Sequence, residues 1–327
     1  MLKKIAGRVK VSVIFLAGNE RGTALVLVAL ALVGLLGCTA LVTDVGLLYS
    51  HRARLVNAAD AAALAGVQEL PARPEEAQAV ARAYAEANGV PPDQVEVEVA
   101  DDCRSLTVRP RRTVQLLFAR VLGFASQEVR AAATATVAPL TGAAGVVPFG
   151  IEEQELIFGR EYVLKEGAGS GGASEGEDGR MHGWYGALDP DNNPGGGARD
   201  YEERIKYGYQ GVLRVGDIIL TEGGNMSGPT SEGVAYRIAQ CTDGCTFENF
   251  ARNCPRLVIV PVVRVVEEQG GHPKKVEVRA FAAFFLEGVE GQGNKNNVIG
   301  RFVRTVYPGE AEGGGDDYGL YAVRLIH

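Results

Sequence analysis

Hydrophobic positions along the chain fall into three regimes. From Thr23 to Thr43 the sequence TALVLVALALVGLLGCTALVT is apolar and carries no charge, and about 20 such residues suffice to cross the hydrocarbon core of a bilayer. The pattern predicts a transmembrane helix over residues 23–49. That helix is expected to continue to about residue 70, because Asn57 to Gly66 (NAADAAALAG) is dominated by the best helix former. At ~1.5 Å per residue, Thr23 to Leu70 would make a rod of roughly 70 Å. Ala58, Ala62 and Gly66 fall on one face of it at i, i+4, i+8. Small residues there admit a second helix at close range, supplied by the protein's own domain or by an identical helix in a bundle or filament.

The second regime, residues 50–138, mixes periods. Pro74 to Asn88 predicts a helix, with Pro early, Glu75 and Glu76 in the first turn and Gly89 as the stop. Val95, Val97 and Val99 alternate with Glu96 and Glu98, a half-buried strand. Leu106 to Arg109 is its expected hairpin partner, Thr113 to Leu122 (TVQLLFARVL) a second helix closed by Gly123, and Val129 to Val137 a third strand. The order α-β-β-α-β describes a small α+β domain.

Residues 139–147 (PLTGAAGVV) have the composition of a linker. The third regime, residues 148–327, is rich in glycine and recurrent apolar runs: Tyr162–Lys165, Val212–Leu220, Leu257–Val266, Lys275–Leu286, Val298–Tyr307 and Tyr321–Ile326. These predict a mostly antiparallel β-rich domain. Two short helices are expected in it, one from Asp200 with Glu203 as capping-box partner and one over Ser231 to Gln240. The fold class expected is therefore α+β: a long N-terminal transmembrane helix, a small α-β-β-α-β domain, then the β-rich domain.

Charge orients the span. Lys3, Lys4, Arg8, Lys10 and Arg21 precede it, while Asp44 and the interfacial residue Tyr49 follow. The positive-inside rule leaves residues 1–22 in the cytoplasm and the rest of the chain outside a single-pass membrane helix. A cleaved signal peptide fits less well, because the apolar run exceeds the usual ~7–15 residues. Leu35-Leu36-Gly37-Cys38 resembles a lipobox, but apolar sequence continues past Cys38.

The net charge of −7, without a basic patch, argues against nucleic acid as a partner. Four of the five cysteines, Cys103, Cys241, Cys245 and Cys254, lie beyond the membrane, where disulfides persist. The Cys-x3-Cys-x8-Cys spacing invites zinc, but three thiols need a fourth ligand and His272 is the only candidate nearby in sequence. A local disulfide is the stronger expectation, its pairing left open.

Catalytic chemistry finds little support. Gly172-Ala173-Ser174-Glu175-Gly176 fits G-x-S-x-G and Gly167 to Gly172 fits G-x-G-x-x-G, yet both fall in one Gly/Ser/Glu-rich stretch without a helix signal after it. Only four histidines occur, none paired with a nucleophile, and there is no H-E-x-x-H. No enzyme activity and no cofactor are expected. Asp189, Asp191 and Asn193, with Asp200, offer oxygens at calcium-loop spacing, but Pro194 stands where an EF-hand needs glycine. A solvated acidic turn is expected there.

Arg21-Gly22, Asp44-Val45-Gly46, Leu48-Tyr49 and Asn57 to Gly66, in that order, resemble the N-terminal signature of the Tad (tight adherence) pilus-assembly family, in its TadE/TadG-like group. Blocks farther on (Trp184 to Leu188, Gly223 to Thr230, Val258 to Val263) resemble the C-terminal region of a subset of Gram-positive TadG-like proteins. The resemblance implies a membrane-anchored structural or assembly component of a Flp-type pilus. It would be pseudopilin-like in plan and would serve adhesion. Its implied partners are other Tad assembly proteins or pilins, besides membrane lipid and a possible homo-oligomer through the N-terminal helix. Processed pilins of this kind carry Glu at the fifth mature position, and cutting after Gly22 would place Leu27 there, so the uncut chain is expected. The other function class considered is a membrane-anchored surface module that binds cell wall, host surface or metal.

Overall fold

The computed structural model describes residues 20–166, 174–175, 181–192, 197–222, 226–270, 272–291, 297–311 and 315–326. The chain divides into two compact units: residues 1–54 with 112–130, and residues 55–111 with 131–327. The fold is α+β. A single long helix, α1 (Glu20–Val67), leads the described chain.

The first unit combines the leading part of α1 with the segment 112–130. That segment holds the end of β2 (Ser105–Gln115), a 3-10 turn (Ala119–Leu122) and β3 (Ser126–Arg130), which pairs with β2. The helix expected over 113–122 is absent. Val114 and Leu116 point inward while Thr113, Gln115 and Leu117 are exposed, which is the two-residue alternation of a strand. Leu116 N–H donates to Ala125 O (3.0 Å), and Gly123, at φ 95°, ends the turn. The strand expected over 129–137 is likewise two: β3 stops at Arg130, and β4 (Ala133–Pro139) begins after a break.

The second unit is built on two sheets. α2 (Pro74–Ala87) starts on its proline and buries Ala77, Ala81 and Ala85. β1 (Val95–Val99) pairs antiparallel with β2, Val97 opposite Val108. The sheet runs β1-β2-β4-β16-β15, where β15 is Thr305–Val306 and β16 is Leu320–Ile326. The C-terminal strand thus lies beside β4, Val323 opposite Val137. Within residues 139–147, β5 (Gly142–Ala143) pairs with β10 (Leu213–Arg214).

The second sheet closes on itself. Its strands are β6 (Phe149–Glu152), β7 (Glu161–Glu166), β9 (Met181–Asp189), β12 (Leu257–Gln269), β13 (His272–Glu290) and β14 (Asn297–Val303). They pair in the ring β12-β13-β14-β7-β9-β6 and back to β12. The β7–β9 and β6–β12 pairings are parallel, the other four antiparallel. β8 (Ser174–Glu175) pairs with β9, and β11 (Ile218–Thr221) pairs with both β13 and β9.

Both faces are covered over residues 258–263 of β12 and 280–286 of β13, which is why those stretches are continuously apolar rather than alternating. Val258, Val260, Val262, Ala282, Phe284 and Leu286 face one core, with Phe302 edge-on to Tyr162 at 4.8 Å. Tyr201 and Ile205 of α3 (Gly197–Tyr207) and Val234 of α4 (Ser227–Gln240) close that core. Ile259, Val263, Phe281, Ala283 and Phe285 face a second core that includes Cys245 and Cys254. α3 begins at Gly197, so Asp200 sits inside its first turn and Glu203 instead meets Arg199 (3.4 Å). α4 begins four residues before the expected Ser231, accommodating Pro229 in its first turn where the missing N–H is harmless. At Gly233 an added Cβ would lie 2.6 Å from Ile205 Cγ2, so glycine permits the α3–α4 contact.

Candidate functional site: the apolar helix and its collar

The described residues include one helix long and apolar enough to cross a membrane. Its apolar side chains between Leu25 and Val45 are exposed. The hydroxyls of Thr39 and Thr43 donate back to Leu35 O (2.9 Å) and Thr39 O (2.8 Å), so neither is left unpaired along this surface. Ala24 to Thr43 rises ~30 Å, the thickness of the hydrocarbon core.

Asp44 follows directly. Its side chain is 4% exposed, and its carboxylate accepts three backbone N–H groups: Leu117 (2.8 Å), Phe118 (3.0 Å) and Ala119 (2.7 Å). Three donors satisfy a carboxylate removed from water and fix the loop 116–125 to the helix. The loop so held presents Leu117, Phe118, Val121 (86% exposed) and Phe124 (66% exposed), with Arg120 beside them also exposed. Sequence reasoning placed Leu117, Phe118 and Val121 on a helix and so missed the collar. The available signal was the lone Asp44 after twenty apolar residues, which had to find donors.

The small-residue face of α1 is covered within the chain. Ala58 and Ala62 are buried, and a Cβ on Gly66 would meet Ala77 O at 2.7 Å and the Ala81 Cβ at 2.8 Å. Alanines spaced by four on α1 and α2 therefore mesh at close range. Beyond α1, Gln68 and Glu69 receive Arg252, through Oε1 at 2.6 Å and an ion pair at 2.9 Å.

The acidic turn carries its own cation. Arg204 of α3 reaches Asp189 (3.2 Å) and Asp191 (2.6 Å), filling the place a metal would take. Asp189 is 2% exposed; burial first, then the neighbouring Asp191, pushes its carboxyl up to about 6. Asp191 moves down despite its own burial, drawn by the hydrogen bond from Asp189 and by Arg204. Below about pH 6 the pair therefore holds a proton on Asp189. Asp200 lies in α3 and makes no part of this cluster, while Asn193 lies outside the described residues. Sequence reasoning did not foresee Arg204, which is close only because α3 folds back over the turn.

Cys241, Cys245 and Cys254 converge: their sulfurs lie within 4.8 Å of one another, Cys241 and Cys254 at 3.6 Å. All are free thiols, as is Cys103, which occupies the β1–β2 turn at φ 53° apart from the cluster. His272 is no partner to them. It pairs with Gln269 at one end of the β12–β13 hairpin, whereas the cysteine loop joins the other end, where Leu257 pairs with Phe285. Twelve strand residues at ~3.3 Å put ~40 Å between those ends. The G-x-G-x-x-G match lies outside the described residues, and of the G-x-S-x-G match only Ser174 and Glu175, in β8, are described.

Residues 22–69 match the Tad family model, Flp pilus-assembly TadE/G-like. The matched stretch is nearly coextensive with α1. No curated protein matches the chain, and no solved structure does.

Proposed function

With residues 22–69 a TadE/G-like pilus-assembly segment, we propose that this chain is a membrane-anchored structural or assembly component of a Tad (Flp-type) pilus system. Residues 23–49 cross the membrane once, the basic residues 1–22 stay in the cytoplasm, and residues 50–327 are displayed outside, where they contact other Tad assembly proteins or pilins. The observation that supports this best is the coincidence of three features in one stretch: the family match, an apolar surface of bilayer length, and its alanine-rich continuation. The role is structural rather than catalytic.

The collar deepens the anchoring. Because Asp44 ends the ~30 Å apolar rise, the loop it holds lies at the outer lipid–water boundary. There Leu117, Phe118, Val121 and Phe124 enter the interfacial layer and Arg120 meets headgroups. Small-residue packing on α2 occupies the face that a helix bundle would otherwise use, which favours a fixed anchor over a filament core.

Deletion of the gene in its native host is expected to remove surface pili and adherence, with the protein recovered from membranes and its N-terminus uncut. Unchanged pili and adherence would overturn the pilus role. A Phe124→Trp variant in bilayers containing brominated lipid separately reports the collar: quenching of the added tryptophan supports it, and emission insensitive to bromine removes it.

A further inference from the structure

Three sulfurs from positions 241, 245 and 254 meet in one place on the outer face of the barrel. The 3.6 Å between Cys241 and Cys254 far exceeds the ~2.05 Å of a disulfide. Two thiolates that share a tetrahedral ion at ~2.3 Å per bond stand ~3.8 Å apart, close to what is seen. A disulfide between any two would also leave the third thiol stranded beside it.

The Cys245 N–H, ahead of other causes, holds the Cys241 thiol below its usual range, whereas burial pushes Cys254 up to about 12. The surrounding loop is firmly seated: Arg256 donates to Cys245 O (3.0 Å) and lies over Phe285 (4.5 Å), and Arg237 of α4 donates to Pro255 O (3.0 Å).

We propose that Cys241, Cys245 and Cys254 form a three-thiolate site for one thiophilic d10 cation, Zn2+ or Cu+. Soft sulfur ligands select these ions over oxygen-seeking ones such as Ca2+ or Mg2+. With Cys241 only partly buried, the fourth side faces solvent. Zn2+ completes a tetrahedron there with water, and Cu+ is content with three sulfurs. The bound ion staples the 241–254 loop, and Arg252 within that loop grips Gln68 and Glu69, just past α1. The metal therefore steadies the contact between that loop and residues 68–69. This does not depend on the pilus reading.

The test uses the full chain in detergent, isolated without added oxidant, then stripped and reloaded with Zn2+ or Cu+ alone under reducing conditions. One equivalent of either ion should bind and survive dialysis, and Co2+ in place of Zn2+ should give thiolate-to-metal charge-transfer bands with tetrahedral d–d absorption. Competition between the Zn2+ and Cu+ arms identifies which is preferred. Cys245→Ser should weaken binding by more than the ~10–100-fold typical of losing an outer-shell partner, while Cys103→Ser leaves it unchanged. If Cys245→Ser fails to fold, Cys241→Ser at the partly exposed position carries the same comparison. No stoichiometric binding by the reduced chain would overturn the proposal. So would a freshly isolated chain whose mass is lower by two hydrogens with only one of the three thiols open to alkylation.

Discussion

Asp44 shows how one side chain can organise a surface. Its position after an uncharged run was legible in the sequence, and so was its need for partners. The partners, 73 to 75 residues on, were not, because nothing local in 117–119 marks them as donors. Asp44→Ala removes the acceptor of all three bonds and should weaken loop closure by about 1–3 kcal/mol. Hydrogen exchange at amides 117–119 in detergent checks this, and unchanged protection would show that the loop is held by other means. Asp189 offers a second residue-scale prediction. In the unfolded chain its pKa is ~3.9; in the fold burial raises it to about 6. Between those values the folded state holds a proton that the unfolded state has released. Its contribution to stability is thus complete below pH ~4 and is lost as pH rises through ~6. Asp191, shifted down, acts only at more acidic pH. Asp189→Asn should abolish this decline, which amounts to at most about 3 kcal/mol of stability, so its melting temperature should vary less between pH 4 and 6 than the parent's. Parallel pH profiles of the two proteins would sink the assignment.

At the level of elements, an unmixed signal decided what could be foreseen. The uncharged run of α1, the end signals of α2 (Pro74, Glu75, Glu76 and Gly89), the Val95-Val97-Val99 alternation and the apolar runs within β12 and β13 are each of one kind, and each element formed as expected. Residues 113–122 misled because two patterns overlap there. Val114 and Leu116 are strand-inward, while Leu117, Phe118 and Val121 are an outward apolar cluster whose purpose is not core packing. Read together they imitate a helical stripe. The thiol cluster was legible as a spacing but not as a geometry, since only the loop's fold shows that three sulfurs meet and that His272 is remote. The α1–α2 contact supplies this scale's prediction. Gly66→Leu places a branched side chain where even a Cβ lies 2.7 Å from Ala77 O. Overpacking of this kind costs about 1–3 kcal/mol, so the melting midpoint should fall, whereas Gly34→Leu, with open space around it, should leave it unchanged. Equal behaviour of the two variants would mean that α1 and α2 do not pack in solution as they do here.

Across the second unit, the path of the chain departs from a bead-on-string order. β4 ends at Pro139 and its sheet neighbour β16 begins at Leu320, so the whole barrel is inserted between two adjacent antiparallel strands. Composition could not reveal this: the Gly-Ala stretch after Pro139 looks like a linker, and pairing between residues some 185 positions apart leaves no local trace. The insertion has a mechanical consequence. Tyr321 is 1% exposed, sits opposite Pro139, and donates its hydroxyl to Asp317 Oδ1 at 2.8 Å. Truncating a buried aromatic of this size costs about 3–5 kcal/mol. If the barrel's ends are held by the β4–β16 pair, Tyr321→Ala should destabilise the barrel as well as the sheet it belongs to. The chain's single tryptophan, Trp184, lies in β9 of the barrel and reports that unfolding by its fluorescence. The expected result is a lowered midpoint in one cooperative transition seen equally by Trp184 emission and by far-ultraviolet dichroism. A tryptophan transition that stays at its parental midpoint while the dichroism changes would mean that the barrel folds alone and that the strand beside β4 merely closes over it.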